Sequence, residues 1–152
     1  MEHIKICNID SKIEIRKMNL EDLESISDIL YSDFDDFWSY DVFASELCCE
    51  NSLYFVAMKD DEIIGFAGIK IICDEAEVMN IVVRKTARGI GIGSLLLEHL
   101  LFEVHNRGVK VVNLEVDSSN VVAIKLYEKF GFRHVGFRKG YYGEDGAILM
   151  TL

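Results

Sequence analysis

Asn80-Ile-Val-Val-Arg-Lys-Thr-Ala-Arg-Gly-Ile-Gly-Ile-Gly-Ser-Leu-Leu-Leu97 joins an apolar strand to a leucine-rich helix through a turn with glycine at positions 89, 91 and 93. Backbone without a Cβ can approach a ligand closely, and the following helix offers unpaired N–H groups and a partial positive charge at its N-terminus. Arg84, Lys85 and Arg88 add cationic charge to the same stretch. The combination points to an anion, and a phosphate-bearing cofactor is the natural candidate. A Walker loop is excluded because Ile92-Gly93-Ser94 lacks the lysine. A dinucleotide fingerprint is excluded by position, since roughly half the chain precedes the turn. A turn shaped only for tight packing is the plain structural alternative.

Downstream, Ser94–Arg107 reads as a helix ended by Gly108, and Val109–Val116 as a strand. Ser118–Phe130 follows as a helix with Gly131 beyond it, then Phe132–Arg138 and Ala147–Leu152 as closing strands. Upstream, Ile13-Glu-Ile-Arg16 alternates as a strand does. Asn19 falls at the N-cap of a helix carried by Leu20, Leu23, Ile26, Ile29 and Leu30, with Met18 and Leu23 at hydrophobic-staple spacing. Another helix begins at Ser39 and runs to Leu47. Leu53–Met58, Glu62–Ile72 and Ala76–Val83 form an antiparallel meander with turns at Asp60-Asp61 and Cys73-Asp-Glu75. This order implies an α/β chain, with an α+β-type mixed sheet of about seven strands and about four helices. It is read as a single domain over residues 1–152, with residues 1–12 as a polar leader.

The 152 residues, 50% of them hydrophobic, are enough for one globular core. The net charge of −10 is unevenly spread: residues 1–77 hold 6 basic and 19 acidic side chains, and residues 78–152 hold 10 basic and 7 acidic. Between Asn19 and Glu50 there are ten acids and no Lys or Arg, which excludes nucleic acid or an anionic membrane as the partner of that surface and favours a cationic one. Cys7, Cys48, Cys49 and Cys73 form no CxxC pair and have no His at zinc-ligand spacing, so no metal is expected and reduced thiols in a cytoplasm fit. No apolar run approaches the ~20 residues that cross a bilayer.

The strand Asn80–Val83, the sequence Arg88-x-x-Gly91-x-Gly93 and the leucine-rich helix together resemble the acetyl-CoA pyrophosphate loop of the GNAT N-acetyltransferases. Leu114-Glu-Val-Asp-Ser-Ser-Asn120, Ala123-Ile-Lys-Leu-Tyr-Glu128 and Gly131-Phe132 resemble that family's closing region. Trp38-Ser39 with Phe43, and Arg138-Lys-Gly-Tyr-Tyr142 followed by Glu144-Asp145 and Ile148-Leu-Met150, are most similar to the ribosomal-protein-alanine N-acetyltransferases within it. The chain departs from that pattern at Arg84-Lys85, where Asp-Pro is usual, in a shortened stretch from Tyr142 to Ala147, and at Ile90, where a polar residue is common.

The resemblance implies the GNAT fold, a central mixed sheet splayed at a cofactor cleft. It implies acetyl-CoA as cosubstrate and no metal. The backbone of Ile81, Val82 and Val83 would bind the pantetheine arm and polarise the thioester carbonyl, and N–H groups of Arg88, Gly89, Ile90, Gly91, Ile92, Gly93 and Ser94 would hold the pyrophosphate. Asn120 would bind the arm seven residues before Tyr127, on the same helical face. Glu115 and Tyr127 match the family's general base and general acid. Glu115 lies in a Val-rich strand, where partial burial suits a carboxylate to take a proton near neutral pH.

Trp38, Tyr141 and Tyr142 would line the acceptor groove, and the acidic segment would draw in a basic protein N-terminus or a small amine. His99 and His105 read as helix-surface residues, His134 as a strand or turn residue, and Cys48-Cys49 as helix packing. The implied activity is acetylation of a protein N-terminus, with a ribosomal protein as acceptor. The alternatives are a GNAT acetylating a polyamine, aminoglycoside or amino acid, and a non-catalytic acyl-CoA-binding module.

Overall fold

In a computed structural model of the chain, the described residues are 5–7, 12–34, 39–140 and 146–152. Among them the strands are β1 (Lys5–Cys7), β2 (Ile13–Lys17), β3 (Ser52–Lys59), β4 (Glu62–Ile72), β5 (Glu75–Val83), β6 (Val111–Asp117), β7 (Arg133–Arg138) and β8 (Ala147–Thr151). The α-helices are α1 (Leu20–Ile26), α2 (Leu30–Asp33), α3 (Tyr40–Leu47), α4 (Ile92–Asn106) and α5 (Val121–Lys129). The seven expected strands are present, and β1, inside the stretch read as a polar leader, adds an edge to the sheet.

The sheet order is β1-β2-β3-β4-β5-β6-β8-β7. Neighbouring strands are antiparallel except β5 and β6, whose parallel pairing is confined to Glu75–Val111, Ala76–Val112 and Glu77–Asn113. Beyond those pairs the strands part, leaving the second half of β5 without a partner on that side. A bulge sharpens the divergence: Gly68 faces Asn80 and Ile69 faces Val78, so Met79 is the extra residue. Gly68 is required here by a close approach, since a Cβ would lie 2.1 Å from the Tyr54 ring.

Each face of the sheet carries its own apolar cluster. On one, Ile92, Leu96, Leu97, Leu100 and Val104 of α4 pack against Ile15, Phe55, Ala67, Ile69 and Val78, joined by Val112, Leu114 and Val116 of β6 and by Tyr127 of α5. On the other, α1 to α3 supply Leu23, Ile26, Leu30 and Phe43 against Tyr54, Val56, Phe66 and Val82. Each such buried Leu contributes about 1.5–3 kcal/mol.

Asn19 caps α1 as its sequence position predicts, in a reciprocal box: Asp22 N–H donates to Asn19 Oδ1 at 3.0 Å, and Asn19 N–H to Asp22 Oδ2 at 2.9 Å. Arg16 adds two 2.8 Å bonds to the same carboxylate, tying β2 to α1. Burial raises the Asp22 carboxyl, but the bonds from Arg16 and from the Asn19 backbone outweigh it and hold the group below its ordinary range. The helix expected to continue from Asn19 to Leu30 is interrupted by a 3-10 turn at Ser27–Ile29 before α2 resumes.

Two assignments are corrected, His99 as a helix-surface residue and Cys48-Cys49 as helix packing. His99 is buried on α4, edge-on to Phe55 at 4.4 Å and with Nε2 3.8 Å from Glu103, itself buried and paired with Arg107. Cys48 and Cys49 lie just past the end of α3, and Cys48 is exposed. His105 and His134 are exposed as expected.

Candidate active site

The parting of β5 from β6 opens directly toward the glycine turn. Gly89 (φ 84°) and Gly91 (φ 93°) adopt left-handed backbone, and a Cβ at either would meet nothing within 4 Å. These glycines therefore line open space instead of relieving a crowded packing contact, which disfavours the tight-packing alternative. Gly91 is the N-cap of α4 and no side chain caps the helix, so N–H groups of its first turn await an outside acceptor. Gly93 draws three elements together: a Cβ there would lie 3.5 Å from Leu126 of α5, 3.9 Å from Val83 and 4.0 Å from Ile81. Ile81, Val82 and Val83 occupy the unpartnered end of β5, with Val82 buried in the α1–α3 cluster and the other two packed toward α4. Ile90 is exposed.

The cations of this stretch do not all converge on the turn. Arg88 folds back, its Nε donating to the Val83 carbonyl at 3.0 Å and its Nη2 to the Phe34 carbonyl at 3.5 Å. Arg84, expected among the phosphate-facing charges, turns to the α2 side. There it lies over the buried Phe34 ring at 5.4 Å, 3.5 Å from Glu62 and 3.9 Å from Asp33. Opposite charges on that side and the face of an aromatic ring hold it more firmly than the solvent at the turn would. Lys85 is exposed. What the turn can offer an anion is thus chiefly backbone and helix terminus.

Alternation along β6 sends Val112, Leu114 and Val116 to the α4 side and Glu115 and Asp117 to the other. Contrary to the expected partial burial, Glu115 is exposed and ion-paired with Arg138 of β7. It lines an open cleft of about 490 Å³ with Val116, Asp117, Arg138, Lys139 and Ala147. Tyr127 lies on the far side of β6, buried with its ring 5.7 Å from Phe132 in a T-shaped contact. Burial pushes its phenol up to about 12. Carboxylate and phenol thus lie on opposite faces of the sheet. Asn120 is the N-cap of α5, its side-chain oxygen accepting from Ala123 N–H at 3.2 Å, and is exposed. Trp38, Tyr141 and Tyr142 lie outside the described residues. Arg138 stands in the motif Arg138-Lys-Gly-Tyr-Tyr142, but its pairing with Glu115 is not foreseen from sequence, because it requires the strand order β6-β8-β7, which no local pattern reveals.

Among the described residues no group of three or more His, Cys, Asp or Glu is placed to hold a metal ion, and no helix is long and apolar enough to cross a membrane.

A sheet split beside an uncapped, glycine-led helix defines an acyltransferase of the acyl-CoA-dependent class. The acetyltransferase (GNAT) family model matches residues 23–132, and the chain belongs to that family of acetyl-CoA-dependent N-acetyltransferases. A Bacillus subtilis (strain 168) protein is 36% identical over 144 residues, covering 91% of this chain and 95% of its own. The [ribosomal protein bS18]-alanine N-acetyltransferase of Escherichia coli (strain K12) is 40% identical over 119 residues, covering 76% of this chain and 80% of its own. The crystal structure of the ribosomal-protein-S18-alanine N-acetyltransferase from Escherichia coli superimposes with a TM-score of 0.78 at 33% identity, over 100% of this chain and 93% of that one.

Proposed function

We propose that the protein transfers an acetyl group from acetyl-CoA to the N-terminal α-amino group of a protein, a ribosomal protein, in the cytoplasm, with Glu115 as general base and Tyr127 as general acid. The observation that supports this reading is an open carboxylate and a buried, protonated phenol on opposite faces of β6, the strand that parts from β5. The names borne by the Escherichia coli relative at 40% identity and by the solved structure at 33% supply the acceptor class.

Acetyl-CoA supplies a thioester whose acyl carbon is open to attack by an amine. N–H groups from Arg88 to Ser94 would hold its pyrophosphate, a role suited to the open space in front of Gly89 and Gly91. The free edge of β5 at Ile81–Val83 would accept the pantetheine arm, with Arg88 already satisfying the Val83 carbonyl. The Asn120 side-chain amide, its oxygen used as a helix cap, keeps its N–H donors for the same arm. The acceptor α-amine has an ordinary pKa near ~8, so Glu115 has only a modest task in taking its proton. Tyr127, protonated throughout the neutral range, returns a proton to the departing sulfur. Trp38, Tyr141 and Tyr142 are assigned to the acceptor wall. Asp33 is engaged with Arg84, so attraction of a cationic acceptor falls to other acids of the segment 19–50.

Incubation with acetyl-CoA and a panel of N-terminal peptides, polyamines and amino acids, followed by free-thiol release and mass shift, tests the proposal. A basic peptide acetylated at its α-amine is the expected outcome. Preferential turnover of a polyamine replaces it with a small-amine acetyltransferase, and tight acetyl-CoA binding without turnover replaces it with a binding module. Glu115→Gln with unchanged kcat removes Glu115 as base.

A further inference from the structure

We infer that Arg138 is a positioning residue for the general base: it clamps one oxygen of Glu115 and leaves the other open to the acceptor amine. The inference rests on the assignment of Glu115 as base and extends the machinery to a strand outside the β5–β6 gap.

The register of the last three strands makes the contact possible. Asp117 of β6, Ala147 of β8 and Arg138 of β7 lie in one row across the sheet, and Glu115, Leu149 and Gly136 in the row two residues along. Paired residues of antiparallel strands project to the same face, so Glu115, Asp117, Ala147 and Arg138 share one. The side chain between Arg138 and β6 is only the methyl of Ala147, which leaves a path over β8. Asp117 is the acid directly across that path, but its Oδ1 already accepts from Ser119 N–H at 2.8 Å and from Ser119 Oγ at 2.7 Å. These bonds hold its carboxyl below the ordinary range. Arg138 therefore reaches diagonally to Glu115, with Nη2 on Oε2.

The contact is one-sided. Among the described residues Oε1 of Glu115 takes no partner. A carboxylate pinned at one oxygen loses rotational freedom about its terminal torsion while keeping the other oxygen for a proton, as a base must. Both side chains are solvent-accessible in the cleft, 67% for Arg138 and 39% for Glu115, so the pair adds little to folding and its value lies in orientation. Arg138 acts through Glu115 and need not touch acetyl-CoA.

The test compares Arg138→Ala, Arg138→Lys and Glu115→Gln under saturating acetyl-CoA, with the N-terminal peptide that the parent acetylates best. Arg138→Ala is expected to lower kcat about tenfold with the KM for acetyl-CoA unchanged, as loss of orientation alone would do. Millimolar guanidinium is expected to restore part of that loss, Arg138→Lys to retain an intermediate kcat, and guanidinium to do nothing for Glu115→Gln. A kcat within twofold of the parent in Arg138→Ala, or a loss that guanidinium and lysine both fail to repair, overturns the inference. If Glu115→Gln itself keeps full activity, the base assignment has failed instead, and the two failures are told apart.

Discussion

Removing a single oxygen atom, in Tyr127→Phe, separates the acid role of this phenol from its role in packing. The ring is 7% exposed and stacks edge-on to Phe132 at 5.7 Å, contacts that phenylalanine keeps. Among the described residues its hydroxyl makes no hydrogen bond, so folding stability should change by less than about 1 kcal/mol. The chemical cost is larger. With the phenol pushed up to about 12, only about one molecule in 10⁴–10⁵ is ionised near neutral pH, and the group is available as a proton donor in nearly every turnover. Loss of a general acid lowers kcat by roughly 10²–10⁴, equivalent to about 3–5 kcal/mol of barrier. Steady-state release of free thiol measures kcat, and a thermal melt of the same sample reports folding. A kcat within threefold of the parent in a normally folded variant would refute the assignment. The pH dependence gives an independent check. The folded value lies above the ordinary 10, so this group's stabilising share is complete below pH 10 and is lost as pH rises toward 12. The parent should lose stability across that window, and Tyr127→Phe should lose less.

Gly91→Ala places an L-residue at φ 93°, which costs about 1–2 kcal/mol of stability, and puts a methyl into the space before the helix terminus. Melting and calorimetric titration should show that small loss together with an acetyl-CoA affinity at least about tenfold weaker. Gly68→Ala drives a methyl to 2.1 Å from the Tyr54 ring, which Phe43 backs at 5.4 Å; denaturant unfolding should lose about 3 kcal/mol, the upper range for overpacking. Asp22 is held below its ordinary 3.8, so its contribution is present above that pH and lost as pH falls through the lower folded value. Asp22→Asn should cost about 1–3 kcal/mol at pH 7 and flatten the acid limb of the stability profile.

The elements most legible in sequence are those set by local physics. Asn19 and Asp22 form a box that needs only a helix start, and Val112, Leu114 and Val116 announce the buried face of β6 by alternation. The glycine turn was readable because left-handed backbone before a helix needs glycine. What escaped depends on distant partners. Arg84 is turned from the glycine turn by Phe34, Asp33 and Glu62, the first two about fifty positions away and outside a window around the turn. Glu115 lies on the expected strand but is more exposed than its sequence implies, because Val-rich neighbours describe only one face of β6. His99 did carry a local signal: with Glu103 four residues on, it falls on the stripe of Ile92, Leu96 and Leu100.

The three parallel pairs joining β5 to β6 make this sheet two blankets fastened by a short seam. If acetyl-CoA occupies the slit, it stands in for the missing rungs, and cohesion of the halves becomes a function of metabolite supply. Saturation at a hundredfold over Kd adds about 2.7 kcal/mol to the resistance against unfolding. The same fastening must then be undone in every cycle to let the spent carrier leave, so tight closure and rapid turnover compete for one seam.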